Sequence, residues 1–441
     1  MSLPGITSRR RLLACLTATL SLSLGMSTGM TATASAEPAE SFDHPGGFYD
    51  TRDLPTRGAG EILRAETADL PLTFSVPGLP PVPSPLPAVA RRVVYQTFDV
   101  DRQPVATSGA FYDSTAPWPG PGPRPTLILG PGTQGQGDPC APSRNLESAV
   151  GTNPRSGAPI VSYEEGFALA LAAQGFRVMV VDYIGLGTPG IHTYSDRVDQ
   201  AHAMLDGARA AQHLVGYDSP LVFWGHSQGG GASAAAAELA PEYAPELDVR
   251  AAYASAPPAD LLAVLDHIDG SSLTGAIGFA INGMVERYPQ VRDVVDEHIN
   301  TAGRQALHDL SGLCLADTRG AYGGRTTSEW TNSGRSLGEL IRDEPEALRV
   351  LDHQRIGNRA PAVPVMLAGG INDDIIPLGQ VEQLGRDWCA QGADVHLRYE
   401  TTPLVPGITH AAAAVTNFGP AVQYLRDRLA GLPAPNDCAT L

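Results

Sequence analysis

Short apolar runs bounded by glycine and turn residues recur along the chain from about residue 90, with helix-like stretches between them. Thr126-Leu127-Ile128-Leu129, Val178-Met179-Val180-Val181 and Leu221-Val222-Phe223-Trp224 show no polar alternation. Strands of that kind are apolar on both faces, as in a parallel sheet that helices cover on both sides. Tyr163 to Gln174 and Ser195 to Leu214 supply intervening helices, the second with Ala and Leu at helical spacing. Upstream, Val93 to Thr97 and Pro104 to Ala110 flank the turn Asp101-Arg102-Gln103 and predict a hairpin that opens the sheet. Downstream, Val249 to Ala254 and Val363 to Ala368 predict two further strands. The whole pattern is βαβ, doubly wound.

Roughly a hundred residues separate those last two strands, more than one crossover connection requires. The spacing predicts an inserted, largely helical cap, with helices at Leu261 to Ile268 and Gly275 to Val285 whose apolar faces could cover a hydrophobic site. Residues 37 to 90 are rich in proline and polar residues and read as an arm or linker. Ahead of them, Arg9-Arg10-Arg11 precede a run of Leu, Ala and Ser that ends in Ala34-Ser35-Ala36, the form of a cleaved export signal. Ser8 to Leu13 approximate a twin-arginine signal; Leu12-Leu13-Ala14-Cys15 approximate a lipoprotein box, but almost no apolar length precedes Cys15. The expected division is a signal peptide at 1–36, an arm at 37–90, a core at 91–257 and 356–441, and a cap at 258–355.

Composition narrows the chemistry. With 43% hydrophobic and 17% charged residues, the chain reads as a soluble globular protein. Losing the signal removes three arginines and no acid, which takes the net charge from −17 to −20. Such a surface repels nucleic acid and anionic membranes and favours neutral substrates. All 30 basic residues are arginine, so Schiff-base, phosphate-loop and Ser-Lys chemistry, which need an ε-amine, are excluded. Beyond Cys15, Cys140, Cys314, Cys389 and Cys438 remain, too far apart for a Cys-x-x-Cys metal site and even in number, as two disulfides require. Three connectivities are open at this level.

The strongest local signal is Gly225-His226-Ser227-Gln228-Gly229, between the apolar run ending at Trp224 and the Ala-rich stretch Ala232 to Leu239. G-x-S-x-G between strand and helix is a nucleophile elbow, which predicts an α/β-hydrolase with Ser227 as nucleophile. In that fold an acid and then a histidine follow in the chain. Asp373 and Asp374 lie just past a late strand, and only His396 and His410 follow them. His396 falls in an alternating strand pattern and reads as a sheet residue. His410 lies in the loop beyond it and is the candidate base. His226 should face away from the proton of Ser227, and His192 and His202, without neighbours at metal-ligand spacing, read as structural. An oxyanion needs preorganised donors: the backbone N–H of Gln228, and one from the Gly-rich loop 130–135, where Thr133 is the candidate. That loop lacks the lysine of a phosphate cradle.

Several longer motifs, namely Pro131 to Gly135 followed by Cys140 to Ser143, Asp182 to Thr188, the elbow, and Asp373 to Pro377, together resemble the secretory lipase family. This is the Candida antarctica lipase A-like group, widespread in actinobacteria, and the resemblance runs from about Gly46 to the C-terminus. It implies that the acid is Asp373, four residues before Pro377, with His410 as base and Thr133 and Gln228 as oxyanion donors. It also implies a cap over an acyl pocket and disulfides Cys140–Cys314 and Cys389–Cys438. Pro131 is a departure, since relatives often carry His there. The expectation is a secreted, cofactor-free lipase or carboxylesterase that binds no metal or nucleic acid, works as a monomer and meets lipid–water interfaces transiently. An acyltransferase or polyester hydrolase of the same fold, or an inactive envelope-binding member of the family, are the alternatives.

Overall fold

The computed structural model describes residues 47–70, 78–80, 82–148, 150–161 and 163–441. The expected export signal lies outside them. Eleven strands are present among the described residues: β1 Ile62–Ala68, β2 Ala88–Phe98, β3 Pro104–Ser114, β4 Thr126–Gly130, β5 Val150–Thr152, β6 Pro159–Val161, β7 Arg177–Val181, β8 Leu221–His226, β9 Val249–Ser255, β10 Val365–Gly370 and β11 Val395–Glu400. Nine form one sheet in the order β1-β2-β3-β7-β4-β8-β9-β10-β11, and β5 and β6 form a separate hairpin. From β7 to β11 every pairing is parallel; β1, β2 and β3 join antiparallel at one edge.

The alternation within the parallel strands explains why their sequences look continuously apolar. Ile128, Met179, Phe223, Ala252 and Leu367 enter the core on one face. Their neighbours Leu127, Val180, Trp224, Tyr253 and Met366 enter the core on the other. Helices α2 (Arg197–Val215) and α3 (Gln228–Tyr243) pack on the first face, and α1 (Tyr163–Ala173) packs on the second. Asp196 caps α2 by accepting from the N–H groups of Val198 and Asp199, and Gly216 ends it in the left-handed region.

Between the adjacent strands β9 and β10 the chain makes seven helices: α4 Leu261–Ile268, α5 Thr274–Arg287, α6 Pro289–His298, α7 Thr301–Leu310, α8 Leu315–Tyr322, α9 Leu337–Ile341 and α10 Pro345–Gln354. Then come α11 Leu378–Ala390, α12 Thr409–Thr416 and α13 Phe418–Leu429, the last packing on the same face as α1. One expectation needs correction. The stretch 37–90 is not all arm, because Ile62–Ala68 pairs with β2 as the edge strand. The prolines that suggested a linker lie on either side of this short run, which has none.

Glu165 on α1 is buried, and both its carboxyl oxygens lack a hydrogen-bond partner. Burial pushes its pKa up to about 8. The folded chain thus holds a proton that the unfolded chain releases near pH ~4.3. The stabilising contribution of this group is full below that pH and is lost as pH rises through about 8. Glu165→Gln should flatten this part of the stability profile and raise the melting temperature at alkaline pH. Thermal unfolding followed from about pH 5 to about pH 9 checks it; parallel profiles for the two proteins would contradict this reading.

Candidate active site

Four loops leave the C-terminal ends of the parallel strands, where α/β sheets place their sites. Thr133 follows β4, Ser227 follows β8, Asp373 follows β10 and His410 follows β11.

Ser227 sits in the turn from β8 to α3 at φ 60° and ψ −125°, a conformation that L-residues avoid. The surroundings enforce it. A Cβ on Gly225 would lie 1.8 Å from the carbonyl oxygen of Gly229, and one on Gly229 would lie 1.9 Å from that of Gly130. Only glycine fits at either position, so the elbow pattern is a packing requirement as well as a motif. The Ser227 N–H donates to Ser255 O at 2.9 Å and ties the turn to β9.

His410 Nδ1 lies 2.9 Å from both carboxylate oxygens of Asp373. Burial opposes the charge on Asp373. Hydrogen bonds from His410 and from the N–H groups of Ile375 and Ile376 outweigh that cost and hold its pKa below the usual value. Asp374 acts on the backbone instead, accepting the N–H groups of His410 and Gly407 and so pinning the loop. His410 Nε2 is buried and has no partner among the described residues. Ser227 and His410 line the same cavity, of about 390 Å³, without a hydrogen bond between them.

Neither the Thr133 N–H nor the Gln228 N–H donates a hydrogen bond among the described residues. Gln228 is the first residue of α3, where the helix leaves its amides unpaired. Its side chain is fixed by Gln200 Oε1 at 3.0 Å and by contact with His192 Nε2 at 3.1 Å. His192 is buried, and desolvation lowers its pKa to about 4, so it acts as a neutral buttress. His226 contacts Ser255 Oγ through Nδ1 at 2.9 Å, and its ring packs 4.5 Å from that of His410. His396 stays in β11 with Asp437, and His202 stacks on Tyr243.

A second cavity, of about 140 Å³, opens from Ser227, Thr133 and Gln228 into the helical insertion. Leu261, Val264 and Leu265 of α4, Ile277 and Ile281 of α5 and Val295 of α6 are among its largely apolar walls. The apolar faces read in α4 and α5 therefore do line the site. Disulfides join Cys140 to Cys314 and Cys389 to Cys438. The first fastens the insertion beside the Thr133 loop. Leu315 N–H donates to Gln134 O at 2.8 Å and Gln136 N–H to Leu313 O at 3.0 Å. A Cβ on Gly135, at φ 139°, would meet Cys314 Cα at 2.5 Å. Sequence reasoning passed over Tyr163 and Glu164, which touch this loop; in the sequence they mark only the start of a helix.

A mostly parallel sheet with a strained serine at the turn after a central strand, and an Asp–His pair after later ones, defines an α/β-hydrolase. The chain belongs to the secretory lipase family, whose profile matches residues 156–437. A Mycobacterium tuberculosis protein named as a probable inactive lipase is 27% identical over 381 residues, 85% of this chain and 79% of that one. A secreted triacylglycerol lipase of Malassezia restricta is 28% identical over 303 residues, 67% of this chain; the chain spans 62% of its length. Among solved structures, Candida antarctica lipase A in its closed state superposes with a TM-score of 0.69 at 19% identity, over 87% of this chain and 85% of that one. The rice cell wall degrading esterase of Xanthomonas oryzae gives 0.67 at 18%, over 86% of this chain and 100% of that one.

Proposed function

We propose that the chain is a secreted lipase or carboxylesterase that cleaves lipid esters through an acyl-enzyme on Ser227. The carrying observation is the Asp373–His410 pair, which shares one cavity with Ser227. With Asp373 receiving the Nδ1 proton, His410 keeps its lone pair on Nε2, the nitrogen that can take a proton from Ser227. Ser227 Oγ attacks the ester carbonyl, and the N–H groups of Thr133 and Gln228 receive the developing oxyanion. His410 returns the proton to the departing alcohol, and water, activated the same way, releases the acid. The helical insertion serves as a cap whose apolar cavity takes the acyl chain. Relatives named as secreted, together with the Arg-rich start of the sequence, support export, with the twin-arginine route as the proposed path.

p-Nitrophenyl esters of increasing acyl length test this reading. Octanoate or palmitate should exceed acetate in kcat/KM, and a maximum at acetate would count against the apolar cavity as the acyl site. The mycobacterial relative's name raises a second reading, an inactive binding protein. No turnover of any ester would favour it.

The bridges give a separable expectation. Each disulfide closes a long loop, 174 residues for Cys140–Cys314 and 49 for Cys389–Cys438, and such closures stabilise a fold by about 2 to 5 kcal/mol. Replacing either pair by serine should lower the melting temperature. Only the Cys140 and Cys314 pair should also lower kcat, because it tethers the Thr133 loop. Equal kcat in the two double variants would break the proposed link between cap and oxyanion donor.

A further inference from the structure

Thr133 can serve an oxyanion only if its N–H keeps one direction, and the residue before it is glycine. A peptide group is rigid, so the direction of the Thr133 N–H is set by the preceding peptide planes and by the torsions at Gly132 between them. The Pro131–Gly132 plane is gripped at both ends. Tyr183 Oη donates to Pro131 O at 2.9 Å, and the Gly132 N–H donates to Glu164 Oε1 at 2.7 Å. The next plane is held through Gly132 O, which accepts from Gln134 Nε2 at 3.1 Å, leaving the Thr133 N–H on its opposite side.

Glu164 has no other polar contact among the described residues, and no cation accompanies it. Burying a carboxyl without a partner charge is costly, and burial pushes its pKa up to about 7. The bond from the Gly132 N–H is what it makes in return. A Cβ on residue 132 would lie 3.1 Å from Tyr163 Oη, a tight approach, and 3.5 Å from Glu164 Oε1.

We infer that Glu164 is a positioning residue for the oxyanion site, holding the Pro131–Gly132 peptide so that the Thr133 N–H faces the reacting carbonyl. The inference rests on the acyl-enzyme reading above. It requires an acceptor rather than a charge, so the amide oxygen of glutamine should replace the carboxyl oxygen and alanine should not.

The test compares Glu164→Ala and Glu164→Gln with the wild-type enzyme, using a p-nitrophenyl ester and a trifluoromethyl ketone whose bound hemiketal places an oxyanion at the same point. Removing one oxyanion donor outright costs about 10²–10³ in kcat. Misdirecting one should cost roughly tenfold or more. E164A should lose that factor in kcat with KM nearly unchanged, weaken ketone inhibition by a similar factor, and stay folded at the assay temperature. E164Q should recover most of the loss. Unchanged kcat and ketone affinity in E164A would overturn the inference, as would an E164Q variant as impaired as E164A, or a loss of kcat traced to unfolding of E164A at the assay temperature. An active wild type with an unaffected E164A sinks this inference alone; an inactive wild type sinks the proposed function and this inference with it.

Discussion

Replacing Ser227 by alanine should abolish ester hydrolysis while leaving the fold intact. The serine occupies a strained backbone position at φ 60°, and that strain comes from the tight approaches around Gly225 and Gly229. Alanine keeps the same Cβ, so it adds no backbone cost, and the only heavy atom lost is the attacking Oγ. The Ser227 N–H bond to Ser255 survives the change. Purified Ser227→Ala should melt close to the wild type and lose kcat by a factor on the order of 10⁶, keeping only the residual rate that the oxyanion donors and binding provide. Substantial activity in the folded variant would remove Ser227 from the mechanism.

The second large effect concerns the two adjacent acids. Asp373→Asn should lower kcat by a factor on the order of 10⁴, the size known for the equivalent change in a serine protease. An amide can accept from His410 less strongly, can force the wrong tautomer, and cannot balance the imidazolium that forms. Asp374→Asn should cost far less, because Asp374 holds the backbone of His410 and Gly407 and does not touch the ring. Steady-state rates of the two variants decide between them. If Asp374→Asn were the more damaging change, the acid would be assigned one residue out.

Much of this was legible in the sequence for a physical reason. Parallel strands buried on both faces have to be continuous apolar runs, so Leu221 to Trp224 announced β8, and the glycines around Ser227 had to be there because no other residue clears the turn. His410 followed from chain order and from its place after a strand; the same reasoning left Asp373 and Asp374 both open, and the family resemblance singled out Asp373. Their separate pairing, and the role of Asp374, depended on a 36-residue closure that local pattern does not encode. The edge strand Ile62–Ala68 escaped because an edge position asks for little apolar periodicity, and flanking prolines dominated the reading. Glu164 escaped for a different reason: an acid in the first turn of a helix is common, and only the fold brings it against Gly132.

The central claim is that His410 and Asp373 activate one serine, Ser227, out of all the serines in the chain. Labelling with a fluorophosphonate, which reacts only with an activated nucleophile, followed by peptide mass mapping, tests it most directly. The account predicts one modified peptide, carrying the label on Ser227, and no labelling of Ser227→Ala or His410→Ala. An unlabelled wild-type protein, or a label on any other residue, would contradict it.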